Sequence, residues 1–136
     1  MSHWVNNFGI DEILENEGFV YQITNSLTGM KYIGKKFIYS KTTKKIPGKT
    51  RRKHIKKESD WRTYTSSSKD VKNDIKQYGK ENFIFEILSL HKTRTETNYE
   101  ETRLLFLNDV LNAKYDNGLY IFYNKNILLR YYRSDK

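Results

Sequence analysis

The 136-residue chain has no cysteine and only one proline, and one long stretch of it has no acidic residue. The missing cysteine excludes a disulfide framework and any Cys-based zinc site, and favours an intracellular setting. No apolar run approaches the roughly 20 residues needed to span a bilayer, so no membrane partner is expected. The N-terminal "MSHWVNNFGIDEILENEG" is acidic and polar and does not read as a signal peptide. The expectation is a cytoplasmic protein. Neither an internal repeat nor a low-complexity linker divides the chain, so it reads as one domain over residues 17–136, preceded by an extension over residues 1–16.

The stretch without acids runs from residue 35 to residue 57, "KKFIYSKTTKKIPGKTRRKHIKK", and holds eleven Lys or Arg. The whole chain carries +9, so the rest of it sums to −2 and is close to neutral. A run of this density repels itself and reads as a long solvated loop, the more so because it holds Pro47 beside Gly48. Lys and Arg at such density release counterions on meeting DNA. Lys36, Lys44, Lys45, Lys49, Arg51 and Lys53 are therefore the expected nucleic-acid contacts.

Elsewhere the pattern alternates between strand and helix. Phe19–Thr24 and Met30–Gly34 read as two strands of a hairpin around "NSLTG", with Gly29 available for a positive φ. "SSSKDVKNDIKQYGKENF" reads as a helix capped by Ser67 or Ser68, with Val71, Ile75 and Tyr78 on one stripe and Gly79 at its stop. "NFIFEILSL" is apolar at both alternations and reads as a central strand. Residues 97–111 read as a second helix with a Leu104, Leu107 and Leu111 stripe, and "GLYIFYNKNILLRYY" as a further extended segment. The fold class expected is α+β: a small, mainly antiparallel three-stranded central sheet flanked by helices, with the basic loop after the second strand.

Two tyrosines flank the hairpin turn, Tyr21 ending "FVY" and Tyr32 opening "YIG", with ten residues between them. Taken alone they are ordinary strand residues forming an aromatic cross-strand pair. Their order and spacing nevertheless resemble the GIY-YIG nuclease family, whose second motif stands literally at residues 32–34. The first motif departs from the family name, reading Phe-Val-Tyr behind Gly18, but keeps the terminal tyrosine. The serine-capped helix, "ENFIFEIL", "NYEETRLLFLNDVL" and "FYNKNI" are similar to later segments of phage-borne, homing-endonuclease-like members. The resemblance covers residues 18–127.

That resemblance implies an endonuclease acting on double-stranded DNA, cytoplasmic in a host cell if phage-encoded. Phosphodiester hydrolysis needs a deprotonated nucleophile and charge compensation at the phosphate. Tyr21 is implied as general base, or as a relay to one, with Tyr32 positioning water or phosphate. A phenolate at pH 7 must be favoured by about 3–4 kcal/mol, a field expected from Lys35 and Lys36. Glu101 is the implied ligand of one Mg²⁺ or Mn²⁺, its neighbour Glu100 being a solvated face residue. The family's Arg and its His or Tyr fall in the stretch where register is lost, leaving Arg52, His54 and Tyr64 as catalytic candidates. Asn124 is implied near the nucleic acid. With no appended DNA-reading module, specificity is modest or comes from a homodimer or another partner. Two other classes stay open: an inactive nucleic-acid-binding relative, and a protein-interaction or inhibitor module anchored by Trp4 and Trp61.

Overall fold

Asn25 makes the hairpin turn. Its side-chain oxygen accepts from the backbone of Leu27 at 3.0 Å and Thr28 at 3.4 Å, and Gly29 follows at φ +79°. The computed structural model describes residues 2–134, except the side chains of Arg52 and His54. In chain order its elements are β1 (Trp4–Val5), α1 (Ile10–Leu14), β2 (Gly18–Asn25), β3 (Lys31–Phe37), β4 (Tyr39–Lys45) and β5 (Arg52–Glu58). These are followed by α2 (Lys69–Tyr78), β6 (Phe83–His91), α3 (Arg94–Leu107), β7 (Asn126–Ile127) and β8 (Tyr131–Tyr132). Among the described residues no helix is long and apolar enough to cross a membrane.

The main sheet has four strands in the order β1-β6-β2-β3, antiparallel except for β1 beside β6. The three-stranded expectation is corrected by Trp4–Val5, a strand too short for any periodicity to reveal. It is held by its tryptophan, which is 5% exposed and donates its indole N–H to the Trp61 carbonyl at 2.6 Å. The alternation in β2 then sorts two cores. Phe19, Tyr21 and Ile23 pack with Trp4, Trp61, Val71 and Phe85 on one face. Val20 packs with Ile33, Leu105 and Phe122 on the other.

Helix α2 covers the first face through Val71. Ser68, not Ser67, caps it, accepting from Val71 N. Helix α3 covers the second face, and here the expected register is corrected. It starts at Arg94 behind a Thr93 cap, ends at Leu107, and buries Thr97 and Leu105, while Leu107 is 69% exposed. The run Leu104–Leu107 is apolar around the whole helix, so spacing alone did not select a face. Since α3 lies mainly over β2 and β3, Ile84 and Leu88 of β6 remain exposed; the strand is interior but apolar-covered on one side only.

The basic segment is not a loop. Strands β4 and β5 pair in continuous register from Tyr39↔Glu58 to Lys45↔Arg52, forming a separate two-stranded ribbon. Pro47 and Gly48 (φ +78°) occupy only its turn. Charge density hid strands whose threonines and alternation suit extended backbone. The final segment runs beside β3 through a Lys31↔Phe122 bridge and ends in the small β7–β8 hairpin.

Candidate active site

Strand pairing places Tyr21 opposite Gly34 of β3. A Cβ on Gly34 would stand 2.6 Å from Tyr21 Cζ and 2.9 Å from Tyr32 Cε2, and against the Tyr21 hydroxyl itself. The glycine thus leaves the space through which the Tyr21 phenol reaches the edge strand. Asn124 holds the preceding residue of β3. Its amide donates to the Ile33 carbonyl at 2.8 Å and its oxygen accepts from Ile33 N at 3.1 Å. Buried, with one amide N–H and its oxygen engaged by the Ile33 backbone, Asn124 clamps the closing segment onto β3.

Three phenols converge beside Gly34. Tyr21, 1% exposed, has its ring 6.2 Å from that of Tyr32 and 6.2 Å from that of Tyr64. Its hydroxyl is close enough to Tyr64 for that side chain to shift its ionisation, as that of Tyr32 is to Ser67. Ser67 was a rival for the helix cap; because Ser68 takes that place, Ser67 is left to face Tyr32. Nothing local in the sequence marks that division.

Glu101 reaches the same region from α3. Its side chain is 18% exposed, and its partner Lys35 stands 3.7 Å away, a loose contact. Burial raises the Glu101 pKa above the usual carboxylate range, with Lys35 pulling against it. Its negative charge is felt by both Tyr21 and Tyr32. Glu100 turns outward onto Arg103, accepting at 2.6 and 2.8 Å, as expected of a face residue.

The electrostatics of the phenols correct another expectation. Burial pushes the Tyr21 pKa up, and Tyr32, Tyr64 and Glu101 push it further in the same direction. Tyr32 is also raised, by burial first. Lys35 and Lys36 do not reverse that rise; strand alternation sets them on opposite faces of β3. Lys35 faces Glu101; Lys36 pairs with Asp60 at 2.7 Å and lies 4.0 Å from the Tyr64 ring centre. At neutral pH Tyr21 keeps its proton.

An open pocket of about 420 Å³ adjoins the phenols, walled by Lys35, Lys36 and Tyr64 on one side and the ribbon foot, Tyr39 to Lys41, on the other. Arg94 also lines it, donating to the Tyr39 carbonyl at 2.8 Å with its guanidinium 4.1 Å from the Phe37 ring centre. Of the basic candidates, Lys44, Lys45, Lys49, Arg51 and Lys53 are exposed along the ribbon and its turn. Arg52 and His54 belong to β5 by backbone; their side chains lie outside the described residues.

Across residues 4–127 the chain matches a family model described as "Putative endonuclease segE, GIY-YIG domain". No curated protein matches it. No solved structure matches it.

Proposed function

The chain belongs to the GIY-YIG family of endonuclease domains, and from that premise we propose that it is a metal-dependent endonuclease of double-stranded DNA. The observation that carries this reading is the packing of Tyr32 and Tyr64 on Tyr21 beside the Cβ-less Gly34, with the phenols of Tyr21 and Tyr32 within the field of Glu101. Packing alone would not require a half-buried carboxylate aimed at phenols whose protons it holds on.

Glu101 fits a hard divalent cation, Mg²⁺ or Mn²⁺. Its carboxylate is partly desolvated and only loosely paired, so its charge is under-compensated. Among the described residues no cluster of three or more His, Asp or Glu surrounds it, which suits an ion completed by waters and substrate oxygens. Such a cation supplies Lewis-acid stabilisation of the charge on the reacting phosphate.

The residues then divide the remaining work. The pocket lined by Lys35, Lys36 and Arg94 receives the phosphate. Tyr32, beside Ser67, orients it. Tyr21 acts as a relay: its oxygen takes a proton from the attacking water as its own proton leaves through Tyr64 and on to solvent. A free phenolate is then never required, and the raised pKa of Tyr21 is no obstacle.

Nicking of supercoiled plasmid in Mg²⁺ against EDTA tests the reading. Nicking abolished by chelator is expected; salt-sensitive binding without nicking would make the chain a nucleic-acid-binding protein instead.

A further inference from the structure

The β4–β5 ribbon has almost no protein to rest on. From Lys41 to Lys45 and from Lys53 to Glu58, its described side chains are exposed. Its register sets Lys41 against Lys56, Lys44 against Lys53 and Lys45 against Arg52. Like charges directly opposite destabilise a strand pair. One carboxylate answers them: Glu17 of the body accepts Lys41 at 3.1 Å and Lys56 at 3.5 Å.

Alternation places Lys41 and Lys56 on the face that Glu17 holds. Thr42, Lys44, Lys53 and Ile55 belong to the opposite face. Among the described residues, no ion pair involves Lys44 or Lys53. The ribbon is therefore neutralised at its root on one side and bare on the other. A bare cationic face of this kind complements a polyanion, and the ribbon's dimensions say how. Its seven-residue strands extend roughly 24 Å. A two-stranded ribbon enters a major groove about 12 Å wide but not a minor groove about 6 Å wide. Its foot is also a wall of the pocket that contains Tyr64 and Lys36, so a duplex bound along it is delivered to the phenols.

We infer that the β4–β5 ribbon lies in the major groove of duplex DNA, with Thr42, Lys44, Lys53 and Ile55 turned to the base edges and Glu17 fixing its angle to the body. Lys44 and Lys53 are suited to guanine O6 and N7, and the directly opposed Thr42 and Ile55 offer apolar contact to thymine methyls. The domain would then carry its own sequence reader. This inference rests on the endonuclease reading only in taking duplex DNA as the ligand.

Fluorescence anisotropy in EDTA on three forms of one AT-containing duplex tests it: unmodified, with glucosylated hydroxymethylcytosine filling the major groove, and with netropsin filling the minor groove. Glucosylation is expected to weaken binding about tenfold, the size of one good base contact, while netropsin leaves it unchanged. The Lys44→Ala/Lys53→Ala/Ile55→Ala variant, checked by thermal melt, should bind the unmodified duplex more weakly and lose its sensitivity to glucosylation. Displacement by netropsin, or indifference of the wild type to glucosylation, would overturn the groove assignment. Plasmid nicking in Mg²⁺, run in parallel, separates the two readings. Nicking with glucosylation-insensitive binding sinks the ribbon inference alone. Glucosylation-sensitive binding without nicking supports the ribbon inference and sinks the endonuclease reading.

Discussion

Tyr21 is where packing and chemistry make opposite demands on one side chain. Replacing it with Phe keeps the ring among Trp4, Phe19 and Tyr64 but removes the relay oxygen. Single-turnover cleavage at saturating enzyme should fall ~10²–10⁴-fold, the usual worth of a positioned proton acceptor. Tyr32→Phe should show a smaller loss of the same kind. A wild-type rate for Tyr21→Phe would reduce the pair to a packing feature. The raised pKa of Tyr21 also predicts a stability signature. A phenol that ionises later in the folded state than in the unfolded one contributes its full stability below pH of about 10 and loses it as pH rises further. Melting temperature should therefore fall above pH of about 10, and less steeply in Tyr21→Phe.

Glu101 follows the same sign in a lower pH window. Its folded pKa is raised, so its stability contribution is present below the ordinary glutamate pKa and is lost as pH climbs through the folded value. Glu101→Gln should abolish cleavage yet raise the melting temperature at pH 7, with the gain vanishing in acid. Loss of activity in Glu100→Gln instead would move the ligand one position along α3. Tyr21, Tyr32 and Glu101 could be singled out from the sequence because segments resembling the family carry them. Ser67, Asp60 and Arg94 were not: each acts through a partner far away in sequence, to which no local pattern points.

At the scale of elements, the hairpin turn and α2 followed from their cap and turn residues, because those interactions are local. The ribbon and the true bounds of α3 did not, since unusual charge and an all-round leucine run overrode periodicity. The β7–β8 turn breaks a local rule. Leu128 and Leu129 hold φ of 58° and 52°, and are 62% and 77% exposed. Left-handed backbone costs a residue with a Cβ about 1–2 kcal/mol, which glycine and, in part, asparagine avoid. Leu128→Asn/Leu129→Gly should therefore stabilise the fold by about 1 kcal/mol in a denaturant melt. A loss of stability would mean the leucines make contacts that outweigh the strain.

For the whole molecule, the decisive contact is the one that ties the first residues to the middle of the chain. Trp4 joins the first residues to β6 and to Trp61, closing the face on which Tyr21 lies. Trp4→Ala should cost about 3–5 kcal/mol by chemical denaturation, a core effect rather than that of a trimmed tail. A cost under about 1 kcal/mol would show that the first strand is dispensable.

The sheet is one residue thick, and at Gly34 it carries no side chain at all. The phenols approach this spot from the α2 face, and Glu101 comes from the α3 face. On the proposed reading, a proton leaving through Tyr64 and a cation held at Glu101 would consequently work from opposite faces of the edge strand. One phosphate at that edge would then be reached from both faces at once.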